Sequence, residues 1–206
     1  MKKLTLIAMA ATLALLLAAC SDSLDPGDGD EVEYGFTTVD NGDGSYTTTA
    51  VVGGLSGTER SYFSFESGST IEPVDPADSD EYDLAMLFAN IYVNGGFSGT
   101  GGVELVAYDD EAYDDLDQAP AIGYITDTGD SDEGRAFNFG TIDEENSYGW
   151  YNYNSDTHLF SIVTDRYYAI QAVDGSFYKL RMTGFSTSGP SNPAELVFEW
   201  QAVTAP

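Results

Sequence analysis

The chain has 206 residues, of which 35 are acidic and seven basic, with one histidine and one cysteine. A formal net charge of −28 argues against a nucleic-acid partner, which needs clustered Lys and Arg to neutralise phosphates, and against adsorption to an anionic lipid surface. With a single cysteine no intrachain disulfide forms, so a packed core must hold the fold.

The N-terminus opens with Met1, Lys2 and Lys3, followed by an apolar stretch over 4–19. Two positive charges before a short apolar run form the pattern of a secretory signal. The run, about 16 residues, falls short of the ~20 that a membrane-spanning helix needs. It ends in Leu17-Ala18-Ala19-Cys20, which resembles the lipobox of bacterial lipoproteins. That resemblance implies removal of residues 1–19 and transfer of a diacylglycerol to the Cys20 thiol, with the membrane reached through the lipid anchor. More than one acyl chain gives stable anchoring. Ser21 follows the cysteine where an Asp would signal inner-membrane retention in the enterobacterial rule, so the expectation is an outer-membrane lipoprotein, periplasmic or surface-exposed. Losing Lys2 and Lys3 leaves five basic residues against 35 acidic, a net of −30. Residues 20–31 read as a lipidated acidic tether, rich in Asp, Gly and Pro with little to bury. Residues 32–206 are expected to form one domain.

Strand signals then recur, separated by Gly, Asp and Asn clusters. Residues 34–39 and 45–52 flank Asp40-Asn41-Gly42-Asp43-Gly44, whose Asn-Gly and Asp-Gly steps supply the positive φ of a tight hairpin. Residues 60–66 alternate and read as a strand. An acidic, Pro-containing connection covers 72–81. Residues 82–93 are the most apolar stretch of the mature chain, with Asp83 the one charge, and predict a central strand buried on both faces. Asn94-Gly95-Gly96 ends it. Residues 103–108 predict a strand, 109–117 an acidic loop or short helix, 121–125 a short strand and 127–135 a polar surface loop. Residues 148–153 are aromatic-rich. Residues 166–173, Asp174-Gly175 and 176–185 predict a hairpin with a two-residue turn, Tyr178, Leu180 and Met182 facing one way and Lys179 and Arg181 the other. Residues 194–203 predict a final strand. The fold class is therefore all-β: antiparallel sheets in a single sandwich-like domain.

Three stretches, in order, resemble the HmuY-like family of bacterial haem-binding lipoproteins. Ser61-Tyr62-Phe63-Ser64-Phe65-Glu66-Ser67-Gly68 is similar to an early YFxFxxG strand. Tyr82-Asp83-Leu84-Ala85, continuing to Asn94-Gly95-Gly96-Phe97-Ser98-Gly99, is similar to a strand ending in NGG-x-SG, with Tyr82 where Trp is usual and Met86 where Phe is usual. Tyr167-Tyr168-Ala169-Ile170 through Asp174-Gly175 to Tyr178-Lys179-Leu180 is similar to the family's late hairpin. The resemblance implies a lipid-anchored, all-β protein that captures haem for an outer-membrane receptor in iron acquisition, with the iron between two axial side chains.

Haem iron needs imidazole, thioether, thiolate or phenolate. The chain offers one imidazole, His158, in the region where the resemblance places an axial ligand, so His158 is the candidate metal- and cofactor-binding residue. Trp150, Tyr151 and Tyr153 are candidates to cover a porphyrin face. Between Phe97 and Tyr148 there is no His or Met. Met86 and Met182 read as core, and Tyr108, Tyr113 and Tyr124 remain as phenolate donors. Propionates would need Arg135, Arg166 or Lys179. One histidine and no unlipidated thiol leave few parts for Ser-His or Cys-His catalysis, and the expectation is not an enzyme. Asp40–Asp43 and 25–31 look like fragments of calcium loops but lack EF-hand spacing, and read as turn and tether. The alternative to haem capture is a cofactor-free β-sandwich binding or structural surface lipoprotein.

Overall fold

The computed structural model describes residues 32–109, 112–129, 137 and 149–206. The signal segment, Cys20, the acidic tether, Arg135 and Tyr148 lie outside the described residues. Twelve strands are present among the described residues: β1 (Gly35–Asp40), β2 (Ser45–Val52), β3 (Ser61–Ser64), β4 (Ser69–Ile71), β5 (Leu84–Leu87), β6 (Asn90–Val93), β7 (Glu104–Tyr108), β8 (Tyr151–Asn154), β9 (Leu159–Ile162), β10 (Tyr167–Gln171), β11 (Phe177–Thr187) and β12 (Ala194–Val203). They pair antiparallel in a six-stranded sheet of order β1-β2-β12-β11-β10-β7, a four-stranded sheet β4-β3-β5-β6 and the β8-β9 hairpin. The expected all-β architecture of antiparallel sheets is what forms.

Alternation along the long strands sends one face inward. On β12, Leu196, Phe198 and Trp200 are buried, and on β11, Tyr178, Leu180 and Met182. Phe63 of β3 and Phe65 in the turn after it meet them ring to ring: Phe63 on Phe198 at 5.4 Å, and Phe65 stacked on Tyr178 at 4.6 Å. These edge-to-face and stacked pairs add to the area buried between the sheets. The opposite face of β11 is covered too. Lys179 is buried there, its Nζ donating to the Tyr113 carbonyl (3.0 Å), while the Arg181 guanidinium sits 4.3 Å over the Tyr113 ring.

The β1–β2 turn closes as its Asp-Gly chemistry predicts. Asp40 Oδ1 accepts the Gly42 N–H (2.7 Å), Asp43 Oδ1 accepts the Ser45 N–H (2.9 Å), and Gly42 and Gly44 take φ of +83° and +90°. The acidic residues are thus spent on the turn, as read. The β10–β11 turn has three residues, 173–175, not two, because the Ala172 N–H donates to Ser176 O and Gly175 takes the left-handed position.

The apolar run 82–93 departs from expectation. It is buried, as predicted, except at the half-buried Leu87, but folds back as the β5–β6 hairpin, with Leu87 opposite Asn90, and β6 is the edge of its sheet. Phe88 takes the first turn position at φ +54°, where Gly is the usual occupant. Burial supports it: the ring packs edge-on against Phe160 and Phe185, and the N–H donates to Gly53 O. Asp83 is buried among these strands, accepting the Phe65 N–H at Oδ2 (2.7 Å) and the Val173 N–H at Oδ1 (2.9 Å). It ties the four-stranded sheet to the β10–β11 turn. Burial pushes its carboxyl above the ordinary value of 3.8, against the pull of both N–H groups.

The Asn-Gly-Gly segment is structural. Asn94 is fully buried; its amide donates to Ser79 O (2.8 Å) and Tyr82 O (2.7 Å) and accepts the Gly101 N–H. A Cβ on Gly96, at φ +61°, would lie 2.1 Å from Asp127 O, so only glycine fits. The segment 121–125, expected as a strand, contributes one bridge, between Leu105 and Ile125. A single 3₁₀ turn over Tyr113–Asp115 answers the expected short helix.

Candidate functional site

His158 sits in the turn between β8 and β9. Asn154 Oδ1 accepts the N–H groups of Asp156 (3.0 Å) and Thr157 (2.9 Å), which bends the chain and leaves His158 exposed at φ +57°. A side chain in that conformation is costly, about 1–3 kcal/mol, and must be held by its surroundings. The hold is local: His158 Nδ1 lies 2.6 Å from the Tyr153 hydroxyl. With Nδ1 protonated and donating to Tyr153 Oη, the Nε2 lone pair is left open, the arrangement a metal-ligating imidazole takes.

A cleft of about 710 Å³ opens beside this pair. Phe88, Tyr151, Tyr153, Phe160 and Pro190 form its walls together with Leu55, and no carboxylate lines it among the described residues. Phe160 is the hub: its ring centroid is 5.6 Å from Phe88, 5.1 Å from Tyr151 and 4.9 Å from Tyr153. Phe88 and His158 are the two non-glycine residues with positive φ among the described residues, and both face this cleft. Strained residues concentrate at functional sites because the cost is tolerated only where something is gained.

The residues singled out in sequence divide around the cleft. His158, Tyr151 and Tyr153 are brought together. Trp150 is not among the cleft walls; it is buried in the core, its indole N–H donating to Ala89 O (3.1 Å), because only there does the ring bury both faces and keep a hydrogen bond. Met86 and Met182 are core residues, as expected. Tyr108, Tyr113 and Tyr124 lie away from the cleft, and burial pushes the Tyr113 phenol up and that of Tyr124 up to about 12, against the phenolate form. Arg166 is no propionate partner: Asp109 holds it through two bonds of 2.6 and 2.8 Å, and Gly149 O accepts a third. Lys179 is spent on Tyr113 O. Phe88, Phe160 and Leu55 went unmarked in sequence, since nothing local tells a cleft-wall Phe from a core Phe.

Haem therefore fits this cleft in part. One imidazole with an open nitrogen and a wall of aromatic rings suit a porphyrin face and iron. A second axial donor free of other bonds and a cation for the propionates are absent from the cleft walls among the described residues.

A family model described as HmuY protein matches residues 56–200. The chain belongs to the HmuY family. Its fold is shared by solved structures at low identity. A Bacteroides vulgatus protein described as HmuY-like and haem-binding is 13% identical over 82% of this chain and 97% of its own, with a TM-score of 0.51. The apo HmuY analogue of Tannerella forsythia is 14% identical over 79% of this chain and 99% of its own, TM-score 0.51. A Bacteroides fragilis protein described as a lipoprotein is 16% identical over 82% of this chain and 96% of its own, TM-score 0.51. At these identities the likeness concerns the fold. No curated protein matches the chain. Within the HmuY family frame, the three sequence stretches that carried the resemblance are core strands, the Asn94 anchor and the β10–β11 hairpin, all structural; the cleft is built largely from other segments.

Proposed function

We propose that this chain is an exported porphyrin-binding lipoprotein of the HmuY type, anchored through lipid on Cys20, that captures haem in the His158 cleft and passes it to an outer-membrane receptor. The observation that carries this reading is the meeting of the two strained residues, Phe88 and His158, at one aromatic-walled cleft. Bound haem would supply an iron atom able to take the Nε2 lone pair. The chain's own part is positional. Tyr153 fixes the imidazole, Phe160 and Tyr151 give flat apolar surface, and the exposed Leu55 lies where a porphyrin edge or a receptor would cover it. One axial bond and no clamp on the propionates make a loose hold, which suits a carrier that must release its cargo. No catalytic role is assigned to any residue.

The cofactor-free reading has one observation in its favour: Arg166 and Lys179 are both engaged elsewhere. A haemin titration of the chain lacking residues 1–20 decides between them. The expected result is a saturable Soret shift at one equivalent that His158→Ala abolishes. A wild-type protein that shows no saturable shift, with iron oxidised or reduced, is a cofactor-free binding lipoprotein.

A further inference from the structure

A second cleft, of about 390 Å³, shares no lining residue with the first. Arg60 faces it with its guanidinium carbon 3.7 Å over the Tyr92 ring. At that distance the contact is made through the ring face, so the N–H edge of the guanidinium stays unspent. The other described cations are all engaged: Arg166 by Asp109, Arg181 by Glu199, Lys179 by Tyr113 O. Arg60 has neither a hydrogen bond nor a carboxylate within 4 Å among the described residues. In a chain with 35 acidic residues an unpaired guanidinium is unexpected, since carboxylates to meet it are everywhere.

The rest of the cleft is a fixed frame. Tyr82 and Tyr92 are buried, and the Tyr82 hydroxyl donates to Pro76 O (2.8 Å), which holds the rim formed by residues 75–77. Phe97 faces the same space and is 62% exposed, a large apolar surface left open to water. Asp75 faces it as well, without an ion pair to Arg60 within 4 Å. The frame thus presents a guanidinium, a carboxylate and an aromatic wall around one small volume.

From this juxtaposition we infer that the Arg60–Tyr92–Phe97 cleft binds a free aromatic α-amino acid as its zwitterion. The ligand carboxylate meets the Arg60 fork, its ammonium faces Asp75, and its ring covers Phe97. Bidentate guanidinium–carboxylate pairing supplies orientation as well as energy. A zwitterion also has no net charge, so the acidic excess of the chain does not repel it as it would repel a simple anion.

The test is calorimetric titration of the full chain with L-phenylalanine, L-phenylalaninamide and 3-phenylpropionate. Phenylalanine is expected to bind saturably at one equivalent. The amide, lacking the carboxylate, and 3-phenylpropionate, lacking the ammonium, are each expected to bind at least ten-fold more weakly. Arg60→Gln is expected to lose at least ten-fold for phenylalanine. Absence of saturable binding by phenylalanine, equal binding of phenylalanine and either analogue, or an Arg60→Gln variant that binds as the wild type does, overturns the assignment. The two analogues decide the matter on wild-type protein even if that variant fails to fold. His158→Ala is expected to leave this binding unchanged, so the outcome is independent of the haem reading.

Discussion

Asp83 and His158 are each the odd residue of their stretch, one the single charge in 82–93 and the other the single histidine of the chain. The structure treats them in opposite ways. Asp83 is buried at the seam of the two sheets, and each of its oxygens accepts a main-chain N–H. His158 is exposed on a strained turn, one ring nitrogen held by Tyr153 and the other open. A polar group inside a core must close its hydrogen bonds within the fold. A polar group held rigidly at a cleft with one position open has something left for a ligand. The seam is therefore expected to answer to substitution in stability, and the cleft in binding.

Trp150 joins the two regions, because its indole reaches back to Ala89 O in the β5–β6 turn while its backbone directly precedes β8. Trp150→Ala should cost about 3–5 kcal/mol in denaturant unfolding, through the cavity and the orphaned carbonyl. A loss below about 1 kcal/mol would show that the β8–β9 hairpin folds without the core, and the comparison would fail at its joint.

Asp83→Ala leaves two buried N–H groups without acceptors and should cost about 2–4 kcal/mol. Asp83→Asn keeps one acceptor and should cost less. The pH dependence follows from the raised carboxyl. The folded chain holds the Asp83 proton more tightly than the unfolded chain does, so this residue's contribution to stability falls as pH rises from 3.8 through the raised value, and is flat above it. The stability gap between wild type and Asp83→Asn should therefore narrow as pH rises through that window. A gap that widens would mean the two N–H bonds outweigh desolvation.

Much of this was legible in the sequence, and the limits have physical causes. The β1–β2 and β10–β11 hairpins announced themselves because Asp-Gly steps carry their own turn geometry. The last strand was legible from its alternation. The β5–β6 hairpin was hidden because Phe88 occupies a position that normally takes Gly, and only tertiary contacts to Phe160 and Phe185 make that tolerable. β4 is three residues long, too short to show a period. His158 and its aromatic neighbours were visible as a local cluster. The cleft itself was not, since Leu55, Phe88 and Pro190 reach it from segments far apart in the chain.

The smallest expected effect tests the cleft directly. Tyr153→Phe removes the hydroxyl that holds His158 and should change stability by less than about 1 kcal/mol, since both groups are near the surface. Its consequence is in the imidazole. In the wild type the nitrogen-15 spectrum of His158 at a pH where the ring is neutral should show the Nδ1-protonated tautomer, with Nδ1–H donating to Tyr153 and Nε2 bare. In Tyr153→Phe the two tautomers should mix, and haemin affinity should fall with the bare Nε2 population. If the wild-type ring instead carries its proton on Nε2, Tyr153 is the donor and Nε2 has no lone pair for iron until that proton leaves. The 2.6 Å contact would then serve the hairpin alone, and the contrast between a closed seam and an open cleft would not extend to His158.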